Sequence, residues 1–239
     1  MPVAPRGVRA IVFDTFGTVV DWRKSIAEDL SAWGAAQGLS ADWTGLADLW
    51  RSRYDPQKDR VRLGQIPWTN LDDLHYAALC EILPGMGLGH LTEAQRWHIT
   101  YVWRRLYGWP DAVAGLTRLK PKFILGPLSN GNIALLVNMA KYAGLPWDCI
   151  FSAEHFEHYK PHPDTYLGVC RQLRLEPAQV MMCAAHNNDL RAARAQGLAT
   201  GYIARPTEYG PRQAKDLRAE EDWDVIATDL EDFAGQMGA

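Results

Sequence analysis

Residues 11–22 read IVFDTFGTVVDW, and the fold turns on how this stretch is parsed. Residues 9–13 form a short run that becomes apolar and β-branched, as a buried strand does. The run ends on Asp14, a carboxylate placed where the chain leaves an apolar core, and Phe16, Gly17 and Thr18 follow at once. As a structural residue, Asp14 would form the turn or cap a helix, since aspartate is common after strands. As a nucleophile, it would have to be ionised, ordered and partly desolvated. The turn amides around Thr15 and Phe16 would then stabilise its charge, and the Thr18 hydroxyl would fix its rotamer.

Outward from that strand the pattern changes twice. Residues 21–106 carry only helical periodicity, with helices expected at 25–37, 46–53, 71–82 and 92–106. The last of these opens on a capping box, Thr92 to Gln95. Beyond residue 108 helices and strands alternate. Helices are expected at 111–119, 132–142, 163–173 and 189–196, and strands at 122–128, 149–152, 180–184 and 200–203. Alternation of this kind means right-handed crossovers and a parallel sheet. The expected fold is α/β, a Rossmann-like doubly wound parallel sheet with an inserted helical cap. The core takes residues 1–20 and 108–239, and the cap takes 21–107. Eight of the ten tryptophans lie between Trp22 and Trp109, so the insertion is built differently from the rest.

Bulk properties narrow the function. The chain has 239 residues, 47% apolar and 22% charged, with a formal charge of −3. No basic field exists to hold a polyanion, which argues against nucleic acid as a partner. No apolar run approaches the roughly 20 residues of a membrane helix, and residues 1–7 contain no apolar signal core. Cys80, Cys149, Cys170 and Cys183 are scattered without metal or redox spacing. Four reduced thiols in a cytoplasmic protein are therefore expected.

An open α/β sheet binds ligands beyond the C-terminal ends of its strands, and that rule selects residues. Asp14 follows the first strand, and Ser129 and Asn130, in GPLSNGN, the second. Lys160, in EHYKPHPDTY, follows the third, and His186 and Asp189, in AAHNNDL, the fourth. Each has a structural alternative. Ser129 or Asn132 caps a helix, Lys160 is solvated surface, Asp189 caps the next helix, and His186 is a loop histidine. In the functional reading, the loop at Ser129 and Asn130 binds an anion before a helix. Lys160 then holds two carboxylates together, the enzyme's and a substrate's. His155, His158 and His162 read as surface residues without convincing metal-ligand spacing.

These segments, in this order, resemble the haloacid dehalogenase superfamily across nearly the whole chain. The DxxGT motif is Asp14 to Thr18, followed by LSNG, YKP and an acidic loop after the last core strand. Phosphatases of the superfamily carry a second aspartate two residues after the nucleophile, to protonate a leaving alcohol. That position here is Phe16, and the fourth motif has Ala184 and Ala185 where acids would hold Mg²⁺. The pattern is closer to the L-2-haloacid dehalogenase branch, where a halide leaves without a proton.

That resemblance implies an expected chemistry with no cofactor and no metal. Asp14 attacks the α-carbon of a short 2-haloalkanoic acid with inversion, and water hydrolyses the resulting ester to a 2-hydroxy acid. Lys160 and Thr18 orient Asp14. Ser129 and the amides of Thr15 and Phe16 bind the substrate carboxylate. Arg51, in the LWR context of residues 49–51, and Asn130 receive the halide. Tyr166 matches the family tyrosine six residues after the lysine and is expected to bind the substrate. Asp189, with His186 assisting, positions or deprotonates the water. Relatives are often homodimers. The fourth motif departs from the family's SSNxxD, with His186 at the asparagine position. A histidine donor, Arg51 and a tryptophan-rich cap extend the expected substrates to fluoroacetate, while the two alanines weigh against it. A phosphatase or phosphonate hydrolase of the superfamily is the alternative, with a non-catalytic relative behind it.

Overall fold

A computed structural model describes residues 7–239, so the reading of residues 1–6 lies outside the described residues. Among the described residues six strands form one parallel sheet: β1 (Ala10–Phe13), β2 (Ile124–Ser129), β3 (Phe151–Ser152), β4 (Val180–Ala184), β5 (Ala199–Ile203) and β6 (Val225–Ala227). Their order is β3-β2-β1-β4-β5-β6. The chain winds outward from β1 on one side, returns to β4 and winds outward on the other. The crevice where direction reverses lies between β1 and β4, the expected ligand position for this topology.

The sheet is buried on both faces. Ile11 and Phe13 of β1 enter one core with Leu125, Met181 and Cys183. Ala10 and Val12, pointing the other way, enter a second core with Leu128, Val180 and Met182. The period-2 alternation of a strand thus feeds two apolar layers.

Four helices lie between β1 and residue 104: α1 (Trp22–Ala36), α2 (Trp43–Arg62), α3 (Leu71–Ile82) and α4 (Glu93–Thr100). Five others belong to the α/β portion: α5 (Ala112–Leu119), α6 (Ile133–Ala143), α7 (Pro163–Leu173), α8 (Asn187–Ala195) and α9 (Leu230–Gln236). The fold is a Rossmann-like α/β core with a helical cap. Trp22, Trp50 and Trp103 are fully buried and pack against one another and His75, which accounts for part of the tryptophan excess. No helix among the described residues is long and apolar enough to cross a membrane.

Several boundaries differ from expectation. The second helix does not stop at residue 53 but continues through Pro56 to Arg62. Proline removes one intrahelical bond, and packing of Tyr54, Gln57 and Lys58 carries the helix past it. The fourth helix ends at Thr100, six residues early, and becomes a 3₁₀ turn over Tyr101–Arg104. Thr100 Oγ1 donates back to the Arg96 carbonyl at 2.9 Å, a bond that bends helices. The third strand is Phe151–Ser152 alone. Helix α8 begins at Asn187 rather than 189, so His186 occupies its cap position and Asp189 its first turn. Strand β6 and helix α9 lie in a stretch where the pattern had no reading.

Candidate active site

Asp14 stands at the C-terminal tip of β1, its amide donating to the Cys183 carbonyl of β4 at 2.9 Å. This tie puts the carboxylate at the crevice. Its two oxygens have different surroundings. Oδ1 accepts from Lys160 Nζ at 2.9 Å. Oδ2 accepts from Thr18 Oγ1 at 2.9 Å and contacts His186 Nδ1 at 3.0 Å. Thr18 in turn accepts from the Ala185 amide at 2.9 Å, which orients its hydroxyl toward Asp14. Burial works to raise the Asp14 pKa, but Lys160 and then His186 outweigh it and hold the carboxyl far below its usual range.

Lys160 holds two carboxylates of the enzyme together, those of Asp14 and of Asp189, the latter at 2.5 Å. Burial disfavours the ammonium, while Asp14 and Asp189 more than compensate and raise its pKa. The Lys160 amide donates to Asn130 Oδ1 at 2.8 Å, and Arg62 of α2 donates to the Lys160 carbonyl. Tyr166 completes this cluster. Its hydroxyl donates to Asp189 Oδ1 at 2.6 Å, so it orients that acid.

A cavity of about 560 Å³ opens over these groups. Asp14, Phe16, Arg51, Asn130, Lys160, Tyr166, His186 and Asp189 all line it. Ser129 and Thr15 do not. Ser129 is fully buried, with its hydroxyl oxygen accepting from the Gly131 amide at 3.2 Å, so it shapes the loop instead of facing the cavity. Thr15 is buried with no partner for its hydroxyl. Phe16 is held edge-on to Trp103 and Tyr54, at 5.5 and 6.2 Å between ring centres.

Arg51 reaches the cavity from α2. Its guanidinium lies over the Tyr54 ring at 4.2 Å and the Trp22 ring at 5.5 Å. Nη2 is 3.9 Å from Glu208, while Nε and Nη1 are buried without a partner. Unsatisfied buried donors of a cation are costly.

Glu208 is one group that the sequence pattern does not reveal. Its carboxylate is wholly buried, contacts His186 Nε2 at 2.8 Å and accepts from Trp22 Nε1 at 3.0 Å. Its pKa is pulled down despite burial, mainly by His186. The loop that carries it follows β5 and is clamped by Arg205, which bonds both oxygens of Asp111 and donates to the Thr18 carbonyl at 2.9 Å. Gly17 lets Glu208 approach. Its φ is +89°, and a Cβ there would overlap the Glu208 carboxylate. A signal exists, since the pattern makes 200–203 a strand and the strand-end rule applies to the RPTEYG segment after it. Tyr54 and Lys58 escape the pattern because the expected helix stops at residue 53, before Pro56. Burial pushes the Lys58 ammonium down to about 7 against the pull of Asp55.

The donor set does not suit Mg²⁺. The ion prefers carboxylate and water oxygens in octahedral array. Ala184 and Ala185 offer no side-chain ligand, and Asp189 is already bonded to Lys160 and Tyr166. His158, His162 and Asp164 do bring ligand atoms within 4.8 Å of one another, but on the surface and outside the cavity wall.

The family model for haloacid dehalogenase-like hydrolases matches residues 8–197. The chain is 30% identical over 212 residues to (S)-2-haloacid dehalogenase 1 of Pseudomonas sp. (strain CBS-3), covering 84% of this chain and 88% of that one. Among solved structures, the L-2-haloacid dehalogenase PA0810 superposes with a TM-score of 0.94 at 52% identity, covering 97% of this chain and 99% of that one. The defluorinating L-2-haloacid dehalogenase Rha0230 also superposes with a TM-score of 0.94, at 44% identity over the whole of both chains.

Proposed function

Because the chain belongs to the haloacid dehalogenase-like hydrolases, we propose that it is an (S)-2-haloacid dehalogenase, converting short 2-haloalkanoic acids to 2-hydroxy acids with inversion. The observation that carries this reading is Phe16. At the position where a phosphoryl-transferring relative needs a proton donor, this chain has a buried ring packed on Trp103 and Tyr54. A phenyl ring cannot protonate a leaving alkoxide, whereas a halide departs as a stable anion.

In the proposed reaction, Asp14 attacks the α-carbon and the halide leaves from the opposite face toward Arg51, with Asn130 beside it. The place of Arg51 on the cavity wall and the loose 3.9 Å pairing of its Nη2 with Glu208 support that role. The substrate carboxylate lies against the turn amides after Asp14. Asp189, held by Lys160 and Tyr166 and still offering lone pairs, positions the hydrolytic water. The proposal treats residues 21–107 as a cap over a core of 1–20 and 108–239. It also takes the enzyme to be a cytoplasmic homodimer; the four free cysteines agree with a reducing compartment.

The test is halide release from a panel of chloro-, bromo- and fluoro-acids, run with and without EDTA beside a phosphate ester. Fluoroacetate belongs in the panel because a 44%-identical relative is described as defluorinating. The expected result is (R)-2-hydroxypropionate from (S)-2-chloropropionate at a rate EDTA does not change. Hydrolysis of the phosphate ester alone, lost with EDTA and restored by Mg²⁺, would overturn the reading.

A further inference from the structure

We propose that His186 and Thr18 form an oxyanion hole for hydrolysis of the aspartyl ester, and that Glu208 is the positioning residue that keeps His186 a donor there. The inference rests on the reading of Asp14 as the nucleophile and adds to it which oxygen attacks and what the histidine does.

The two oxygens of Asp14 are not equivalent. Oδ2 is met by Thr18 Oγ1 and His186 Nδ1, which occupy both of its lone-pair directions. Oδ1 is met by Lys160 alone and keeps a free pair. Oδ1 is therefore the attacking atom. Its lone pair forms the bond to the substrate α-carbon, and the carbon–halogen pair leaves with the halide. Oδ2 becomes the carbonyl oxygen of the ester, with its two donors already in place. Water then adds to Cγ, its proton passes to Asp189, and the carbonyl π pair moves onto Oδ2. Collapse of that adduct breaks the Cγ–Oδ1 bond. The released alkoxide takes the proton back from Asp189, giving the 2-hydroxy acid. The second proton of the water goes to solvent, so each turnover yields one halide and one proton.

His186 cannot be the base in this sequence. Both ring nitrogens face carboxylates, Asp14 at 3.0 Å and Glu208 at 2.8 Å. A bare nitrogen against either would set lone pair against lone pair, so the ring donates on both sides and is an imidazolium. The charged groups around it come from every neighbouring element. Asp14 follows β1 and Glu208 follows β5. Arg51 of α2 lies 3.9 Å behind Glu208, Lys160 lies beyond Asp14, and Asp189 is on its own helix. Burial favours the neutral ring, but Glu208 and Asp14 outweigh it and hold its pKa well above the ordinary value. When Asp14 is esterified its charge disappears, while that of Glu208 remains. The donor then faces a neutral carbonyl that turns anionic in the transition state, so its stabilisation is spent on the barrier rather than on the ground state. An asparagine at this position supplies a neutral donor and needs no Glu208.

The test is Glu208→Gln, which keeps size and an acceptor but removes the charge. Excess (S)-2-chloropropionate should release about one equivalent of halide in a fast burst, followed by turnover slowed about tenfold or more. Intact-protein mass should show the ester on the resting enzyme. Hydrolysis should also gain an alkaline limb, because His186 is protonated below its lowered pKa and becomes a neutral, weaker donor to Oδ2 as pH rises through that pKa. His186→Asn is the second variant. It should turn the ester over without that limb, because an amide donates to Oδ2 without titrating, whereas His186→Leu, with no donor, should accumulate the ester. Turnover without ester and with a wild-type pH profile in Glu208→Gln and His186→Leu would overturn the proposal. So would a burst lost to the same extent as steady-state turnover, which would put the pair in the alkylation step. A wild-type enzyme that releases no halide from any 2-haloacid would instead sink the nucleophile reading beneath it.

Discussion

Asp14→Asn should lower turnover of a 2-haloacid by about four orders of magnitude or more, the scale seen when a nucleophile is removed from a preorganised site. The amide keeps the shape of the carboxylate but has no charged oxygen to displace a halide. The surrounding donors would remain: Lys160 keeps Asp189 at 2.5 Å, and His186 keeps Glu208 at 2.8 Å. The variant should therefore fold and bind substrate, which separates loss of chemistry from loss of structure. Halide release by freshly purified protein is the measurement, with the amide at this position verified by peptide mass. Turnover within tenfold of wild type would remove Asp14 from the mechanism.

Lys160→Met should reduce first-turnover halide release by about 10²–10³ at neutral pH and move its acid limb upward. The ammonium lies between Asp14 and Asp189 and is almost entirely buried. Without it two buried carboxylates face each other, and breaking such an arrangement costs roughly 3 kcal/mol or more. In the wild type, burial is overcome by Lys160 and His186, so Asp14 stays ionised far into acid and does not set the acid limb. In the variant the lowering is partly lost. Activity should then be present above the new, higher Asp14 pKa and fall as pH drops through it. A pH–rate profile of the first turnover reads this directly; an acid limb unchanged by the substitution would contradict the role given to Lys160.

Much of this site is legible in the residues, and the reasons differ from one to the next. Asp14, Lys160 and Asp189 can be found because a parallel sheet delivers its strand ends to one edge, and strand periodicity marks those ends. Their mutual geometry is less accessible. Nothing in the spacing says that Lys160 would bridge two enzyme carboxylates, or that Tyr166 would spend its hydroxyl on Asp189. Ser129 shows the opposite case, a polar residue in the right loop whose side chain turns into that loop. Glu208 follows a strand whose loop carries no familiar motif. Its role comes from Gly17, which leaves room for the carboxylate, and from Arg205, which clamps the loop. Both are long-range contacts that no local pattern encodes. Pro56 hid the cap half of the site, because tertiary packing overrode the local preference that ends a helix before proline.

The central claim is a covalent ester on Asp14, and single-turnover reaction in H₂¹⁸O tests it most directly. With enzyme in excess over (S)-2-chloropropionate, water attacks Cγ of the ester rather than the substrate carbon. The predicted result is ¹⁸O in the peptide containing Asp14 and unlabelled 2-hydroxypropionate as the first product. Label in the hydroxy acid, with none in Asp14, would mean that water attacks the substrate directly and would contradict the covalent route.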